Sequence, residues 1–102
     1  MNTIQENNKL IAEFMEYEWY EVNRPYIAVR EPNGGVKHFQ TDWNDLMEVV
    51  QKINDQNNVV QIHENHVMVV SNTKGEVIVD VVSGSMLEAT YQAVVQYIKL
   101  KK

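Results

Sequence analysis

Apolar residues recur along the chain at two different spacings, and the switches between them divide it into three helical stretches and two extended ones. Ile4, Ile11, Phe14 and Met15 share one face at helical spacing, and Thr3 and Glu6 ahead of them have the S/T-x-x-E spacing of a capping box. This predicts a helix from about Thr3 to Met15. From Tyr17 the period changes, and Tyr17, Trp19, Tyr20 and Val22 with interleaved glutamates read as a strand that Arg24-Pro25 interrupts, since the residue before proline is sterically restricted. A second extended piece, Tyr26 to Arg30, is closed by Glu31-Pro32-Asn33-Gly34-Gly35, and Val36 to Gln40 reads as a further short strand.

The second helix is the clearest element. Asp42 is a good N-cap, Asp45 stands at the third helical position, and Trp43, Leu46, Met47, Val50 and Ile53 form one continuous apolar stripe that ends in the polar cluster Asn54 to Asn58. The third helix opens at Ser83-Gly84-Ser85, where Ser85 and Glu88 form a second capping box, and carries Leu87, Tyr91, Val94, Val95 and Ile98 on one face. Between these helices, Val59 to His63 and His66 to Ser71 flank Glu64-Asn65, a two-residue hairpin turn whose register puts Val60, Ile62, Val67 and Val69 on one face. A bulge at the following turn, Asn72-Thr73-Lys74-Gly75, would bring Val77, Val79 and Val81 onto that face too. The opposite face carries Val59, Met68, Val70, Ile78 and Val82 besides Gln61, His63, His66 and Asp80. It is too apolar to stand bare in water, so a helix or a second copy of the chain is expected to cover it.

The predicted fold is therefore α+β, an antiparallel sheet of about four to five strands packed with three helices in a layered sandwich, in the order α-β-β-α-β-β-β-α. At 102 residues the chain has the length of a single domain, 1–102. Hydrophobic residues at 44% and charged residues at 23% favour neither disorder nor a membrane class. The formal charge of -5 argues against nucleic-acid binding, whose affinity rests on Lys and Arg neutralising phosphates. No basic start followed by an apolar run opens the chain, and no apolar stretch approaches the roughly 18 residues that span a bilayer, so no signal peptide and no membrane association are expected. A cytoplasmic protein is the expectation.

Three stretches support a family resemblance. His38-Phe39-Gln40-Thr41-Asp42-Trp43-Asn44-Asp45-Leu46-Met47-Glu48-Val49-Val50-Gln51-Lys52-Ile53 resembles the His-aromatic-x-x-x-Trp-x-x-Leu-Met-x-Val-Val-x-Lys-Ile segment of small uncharacterised proteins of Bacteroidetes and their phages. Glu88-Ala89-Thr90-Tyr91-Gln92-Ala93-Val94-Val95-Gln96-Tyr97-Ile98-Lys99 looks like their closing helix, and Leu10-Ile11-Ala12-Glu13-Phe14-Met15 like their first. The resemblance implies the phage helix-sheet-helix sandwich ("ABA sandwich") fold and a bacterial or phage origin, and brings no catalytic residue with it. This chain departs from the pattern at Glu16, where such proteins usually carry Gly, and at Leu100-Lys101-Lys102, where they usually carry Trp-Tyr-Asn.

Catalytic groups are scarce. There is no Cys, no Ser in a strained Gly-x-Ser-x-Gly turn, and no Gly-rich phosphate loop, because Asn33-Gly34-Gly35 lacks the Lys and the helix start such a loop requires. Glu13, Glu16, Glu18 and Glu21 read as a solvated surface rather than a catalytic carboxylate pair. His63 and His66 would face each other across the hairpin turn, an incomplete ligand set that needs His38 or Asp80 to hold a metal. Neither an enzyme nor a cofactor is expected.

The segment from Tyr17 to Trp43 holds both arginines together with aromatic residues, a combination that binds planar anions or anchors protein interfaces. The candidate binding residues are Trp19, Tyr20, Arg24, Tyr26, Arg30 and His38. The same aromatics also fit a core role, with the arginines paired to nearby glutamates. The functional expectation is a non-enzymatic accessory protein that binds a host or phage protein. The alternative is a binder or sponge for a small anionic ligand, such as a nucleotide signal of bacterial defence. Self-association through the second sheet face is a further expectation.

Overall fold

The computed structural model describes residues 3–23, 26–32 and 34–101. The element order is α1 (Thr3–Met15), β1 (Glu18–Asn23), β2 (Tyr26–Arg30), β3 (Val36–Lys37), α2 (Trp43–Asn54), β4 (Asn58–His63), β5 (His66–Ser71), β6 (Val77–Val82) and α3 (Met86–Lys101). The α+β class, the three helices and the antiparallel pairing agree with the sequence. The single sheet does not. Two separate three-stranded antiparallel meanders form, β1-β2-β3 and β4-β5-β6, and the order is α-β-β-β-α-β-β-β-α. The short strand expected from Val36 to Gln40 is present as β3, which ends at Lys37 and pairs only with β2.

Local signals explain the element boundaries. At the N-terminus of α2 the Asp42 carboxylate accepts the Asp45 N–H at 3.2 Å, and Ser85 Oγ accepts the Glu88 N–H at 3.1 Å where α3 begins. The C-terminus of α1 closes in a Schellman motif. Tyr17 N donates to Ala12 O at 2.8 Å and Glu16 N to Glu13 O at 3.2 Å, with Glu16 held at φ 61°. The α1 cap expected at Thr3 involves a side chain outside the described residues.

The helices stand between the two sheets. α1 packs on β1 and β2 and against α3, whereas α3 packs on all three strands of the β4-β5-β6 sheet and against α2. α3 therefore buries Ala89, Thr90, Ala93 and Tyr97 besides the predicted Tyr91, Val94, Val95 and Ile98. It is a central helix, wetted along the stripe Glu88, Gln96 and Lys99. Its two tyrosines tie the layers together: Tyr91 Oη donates to Asn8 Oδ1 at 2.8 Å, and Tyr97 Oη donates to Gln56 Oε1 at 2.9 Å while accepting from Asn58 Nδ2 at 2.8 Å.

In the second sheet, His63 pairs with His66 across the predicted turn, and Val67, Val69, Val79 and Val81 are buried against α3. The bulge sits later than expected. The β5-β6 register slips between Val69 and Val70, which pair with Val79 and Val77. Val77 therefore joins Val70 on the outer face and is 54% exposed, a correction to its predicted inward position.

Candidate functional site

The six predicted binding residues do not converge. In the first sheet Trp19 pairs with Val29 and Tyr20 with Ala28, and side chains alternate between faces along a strand. Trp19 shares the buried Val29's face, toward α1, where the Lys9 ammonium lies 4.5 Å from its ring centroid. Tyr20 and Arg30 take the opposite, outer face, where Arg30 stands directly across from Glu18. His38 is exposed beyond β3, and its backbone N–H donates to Asp45 Oδ2 at 2.8 Å. Arg24 and the Tyr26 side chain lie outside the described residues. Of the predicted set, only Tyr20 and Arg30 are thus seen to share a surface.

Beneath this region lies a charged cluster that the sequence does not announce. The Lys37 ammonium is 2.9 Å from Glu48, 3.4 Å from Glu31 and 3.6 Å from Asp45, and its side chain is only 11% exposed. Tyr17 Oη donates to the other Glu48 oxygen at 3.0 Å. The hydrogen bond to Glu48 and the surrounding carboxylates hold Lys37 protonated well above the usual lysine range, against the opposing effect of burial. Burial, reinforced by Glu48, pushes the Tyr17 phenol up to about 12. Three carboxylates around one ammonium fix the β2-β3 turn to α2. The Lys occupies the centre of the cluster, which makes this a structural clamp rather than an open site.

The histidine pair lies on the outer face of the second sheet. His66 Nε2 is 2.5 Å from Asp80 Oδ1, while His63 lies across the turn from His66. Among the described residues no group of three or more His, Asp or Glu is placed to hold a metal ion.

The outer face itself is an extended apolar feature of the surface. Val59, Val77, Ile78 and Val82 are exposed, Val82 at 66%, and Met68 and Val70 are half-buried among them. None of α1, α2 or α3 covers this face, since α3 occupies the other side. The covering helix that the sequence allows is therefore not among the described elements. The absence of polar alternation in β5 and β6 marks Val59, Met68, Val70, Ile78 and Val82 in the sequence, which places Val77 on the inner face instead. No helix among the described residues is long and apolar enough to cross a membrane. No protein-family model, curated protein or solved structure matches the chain.

Proposed function

We propose that this chain is a non-enzymatic module that binds a protein partner through the outer face of β4-β5-β6, in the bacterial or phage setting that the sequence resemblance implies. The observation that carries the reading is the uncovered apolar face formed by Val59, Met68, Val70, Val77 and Val82. Fully burying a Val or Met side chain is worth about 1.5–3 kcal/mol relative to full exposure, so a partner that desolvated this patch would gain several kcal/mol before its ordering costs. Gln61 and Asp80 flank Met68 across the middle of the face, and His63 and His66 stand at the β4-β5 turn, so these groups would border the apolar row Val59, Val70 and Val77.

The anionic-ligand alternative has weaker support on this geometry, because Trp19 turns away from Tyr20 and Arg30 is faced by Glu18. The test is the double substitution Met68→Lys, Val82→Lys on the exposed face, set beside Tyr20→Ala, Arg30→Ala. A tagged chain is incubated with bacterial lysate, and its mass in solution is measured by light scattering. The expected result is a partner, or a second copy, retained by the wild-type chain and by the Tyr20/Arg30 variant but lost with the two lysines. Binding that survives the lysines, or a chain that captures nothing and remains a single copy at high concentration, overturns the proposal.

A further inference from the structure

Away from both sheets, α1, the turn at Gln40 and the start of α3 bound a cleft of about 560 Å3, within the usual range for small-ligand sites. Ile4, Leu87 and Tyr91 supply its apolar surface, and the carboxamides of Asn7, Gln40 and Gln92 its hydrogen-bonding groups. The wall is braced from behind. Tyr91 Oη donates to Asn8 Oδ1 at 2.8 Å, and Asn8 Nδ2 donates to Gln40 Oε1 at 3.1 Å, so three separate segments of the chain are locked together at the cleft. Asn8 is buried, which shields these bonds from competing water. With its oxygen engaged by Asn8, Gln40 has its amide N–H groups left to offer a ligand.

The charge of the lining is one-sided. Among the described residues Glu88 is the one ionised side chain of the lining; its Oε1 accepts from Gln92 Nε2 at 3.1 Å, and it forms no ion pair with another of them. The N-terminus of α3 contributes the equivalent of about half a positive charge at the same end, less than the full negative charge of Glu88. The field of these described groups favours a cation.

We propose that this cleft binds a small amphiphilic cation, its aromatic or aliphatic body on Ile4, Leu87 and Tyr91 and its ammonium group beside Glu88. The site is independent of the sheet face assigned above to a protein partner.

Two probes of similar ring and chain length but opposite charge, tyramine and 3-(4-hydroxyphenyl)propionate, separate this proposal from nonspecific binding. In a titration of the 15N-labelled full chain followed by amide chemical shifts, tyramine is expected to give saturable shifts at Ile4, Gln40 and residues 87–92. The propionate should bind about tenfold more weakly, as attraction gives way to repulsion at a partly exposed charge. Glu88→Gln keeps the shape of the side chain and the helix cap at Ser85, and is expected to weaken tyramine about fivefold. No saturable shift with tyramine, equal binding of the two probes, or shifts confined to the sheet faces overturns the proposal. So does undiminished tyramine binding by a folded Glu88→Gln variant, and should that variant not fold, the comparison of the two probes on the wild-type chain still decides.

Discussion

Glu16 closes α1 in the left-handed region at φ 61°, is exposed, and makes its hydrogen bond to Glu13 through the backbone alone. For an L-residue with a Cβ this conformation costs roughly 1–2 kcal/mol, which glycine does not incur. Glycine also loosens the unfolded chain, returning about 0.4–1 kcal/mol of that gain. The net expectation for Glu16→Gly is stabilisation by about 0.5–1 kcal/mol, a rise in Tm of roughly 2–6 °C for a domain of this size. A negative charge at a helix C-terminus opposes the macrodipole, so removing it alone should add a few tenths of a kcal/mol. Glu16→Gln isolates that contribution, because it keeps the Cβ. Gly75 provides the converse: it sits at φ 68° with no atom within 4 Å of the place a Cβ would take, so Gly75→Ala should cost about 1 kcal/mol through conformation alone. Urea titration of the three variants, monitored by circular dichroism, measures all of these. A Glu16→Gly midpoint at or below that of Glu16→Gln would refute the conformational account.

Buried polar groups carry three further predictions. Lys37→Met leaves Glu31, Asp45 and Glu48 facing one another without their cation and should destabilise by about 2 kcal/mol, less than a fully buried pair because Glu31 and Glu48 are about 40% exposed. The raised Lys37 and Tyr17 protonation equilibria both mean that the unfolded chain loses its protons first as pH rises. Their stabilisation is therefore complete below about pH 10 and declines through pH 12, and thermal melts of Lys37→Met and Tyr17→Phe should show a shallower alkaline loss than wild type; parallel alkaline profiles would contradict this. Asn58→Ala removes the amide that serves Ile53 O, Gln56 O and Tyr97 Oη, and should cost about 2 kcal/mol by chemical denaturation, whereas a cost below about 0.5 kcal/mol would mean that water replaces it.

The helices were legible because their signals are local. The 13 residues of α1 match the span predicted from Thr3 to Met15, and Asp42 caps α2 as its spacing suggests. Pairing between strands was legible only where a short turn fixes it, as at His63 and His66. The division into two sheets depends on which edges meet, and no local pattern records that β3 stops after Lys37. The Val77 error has a similar origin: a Gly in a turn identifies a region prone to bulging but not the residue that absorbs the slip. α3 offered a signal that was missed. Its polar positions Glu88, Gln92, Gln96 and Lys99 form one narrow stripe, and a stripe that narrow leaves most of the circumference apolar or small, the pattern of a helix buried between layers. The Lys37 cluster gave none, since Tyr17, Glu31, Lys37 and Glu48 come from four segments whose proximity exists only in the fold.

Polar alternation also separates the two exposed sheet faces. On the outer face of β1-β2-β3, Glu18, Tyr20 and Arg30 stand opposite the buried Val29, so the alternation of polar and apolar positions is that of a sheet with one wet side. In β5 and β6 the alternation fails: Met68, Val70, Val77 and Val82 face outward although Val67, Val69, Val79 and Val81 already fill the core. Burial against α3 cannot account for the outer set, because the inner set satisfies it. Asp80, at the middle of β6 and 2.5 Å from His66, is the charge that interrupts an otherwise continuous β-branched edge, a placement that discourages indiscriminate strand addition and separates Val77 from Val82 on the outer face. A largely apolar face beside an edge that carries a charge favours docking by a shaped partner over edge-to-edge aggregation, and this combination supports the proposal of β4-β5-β6, rather than the arginine-bearing sheet, as the docking surface.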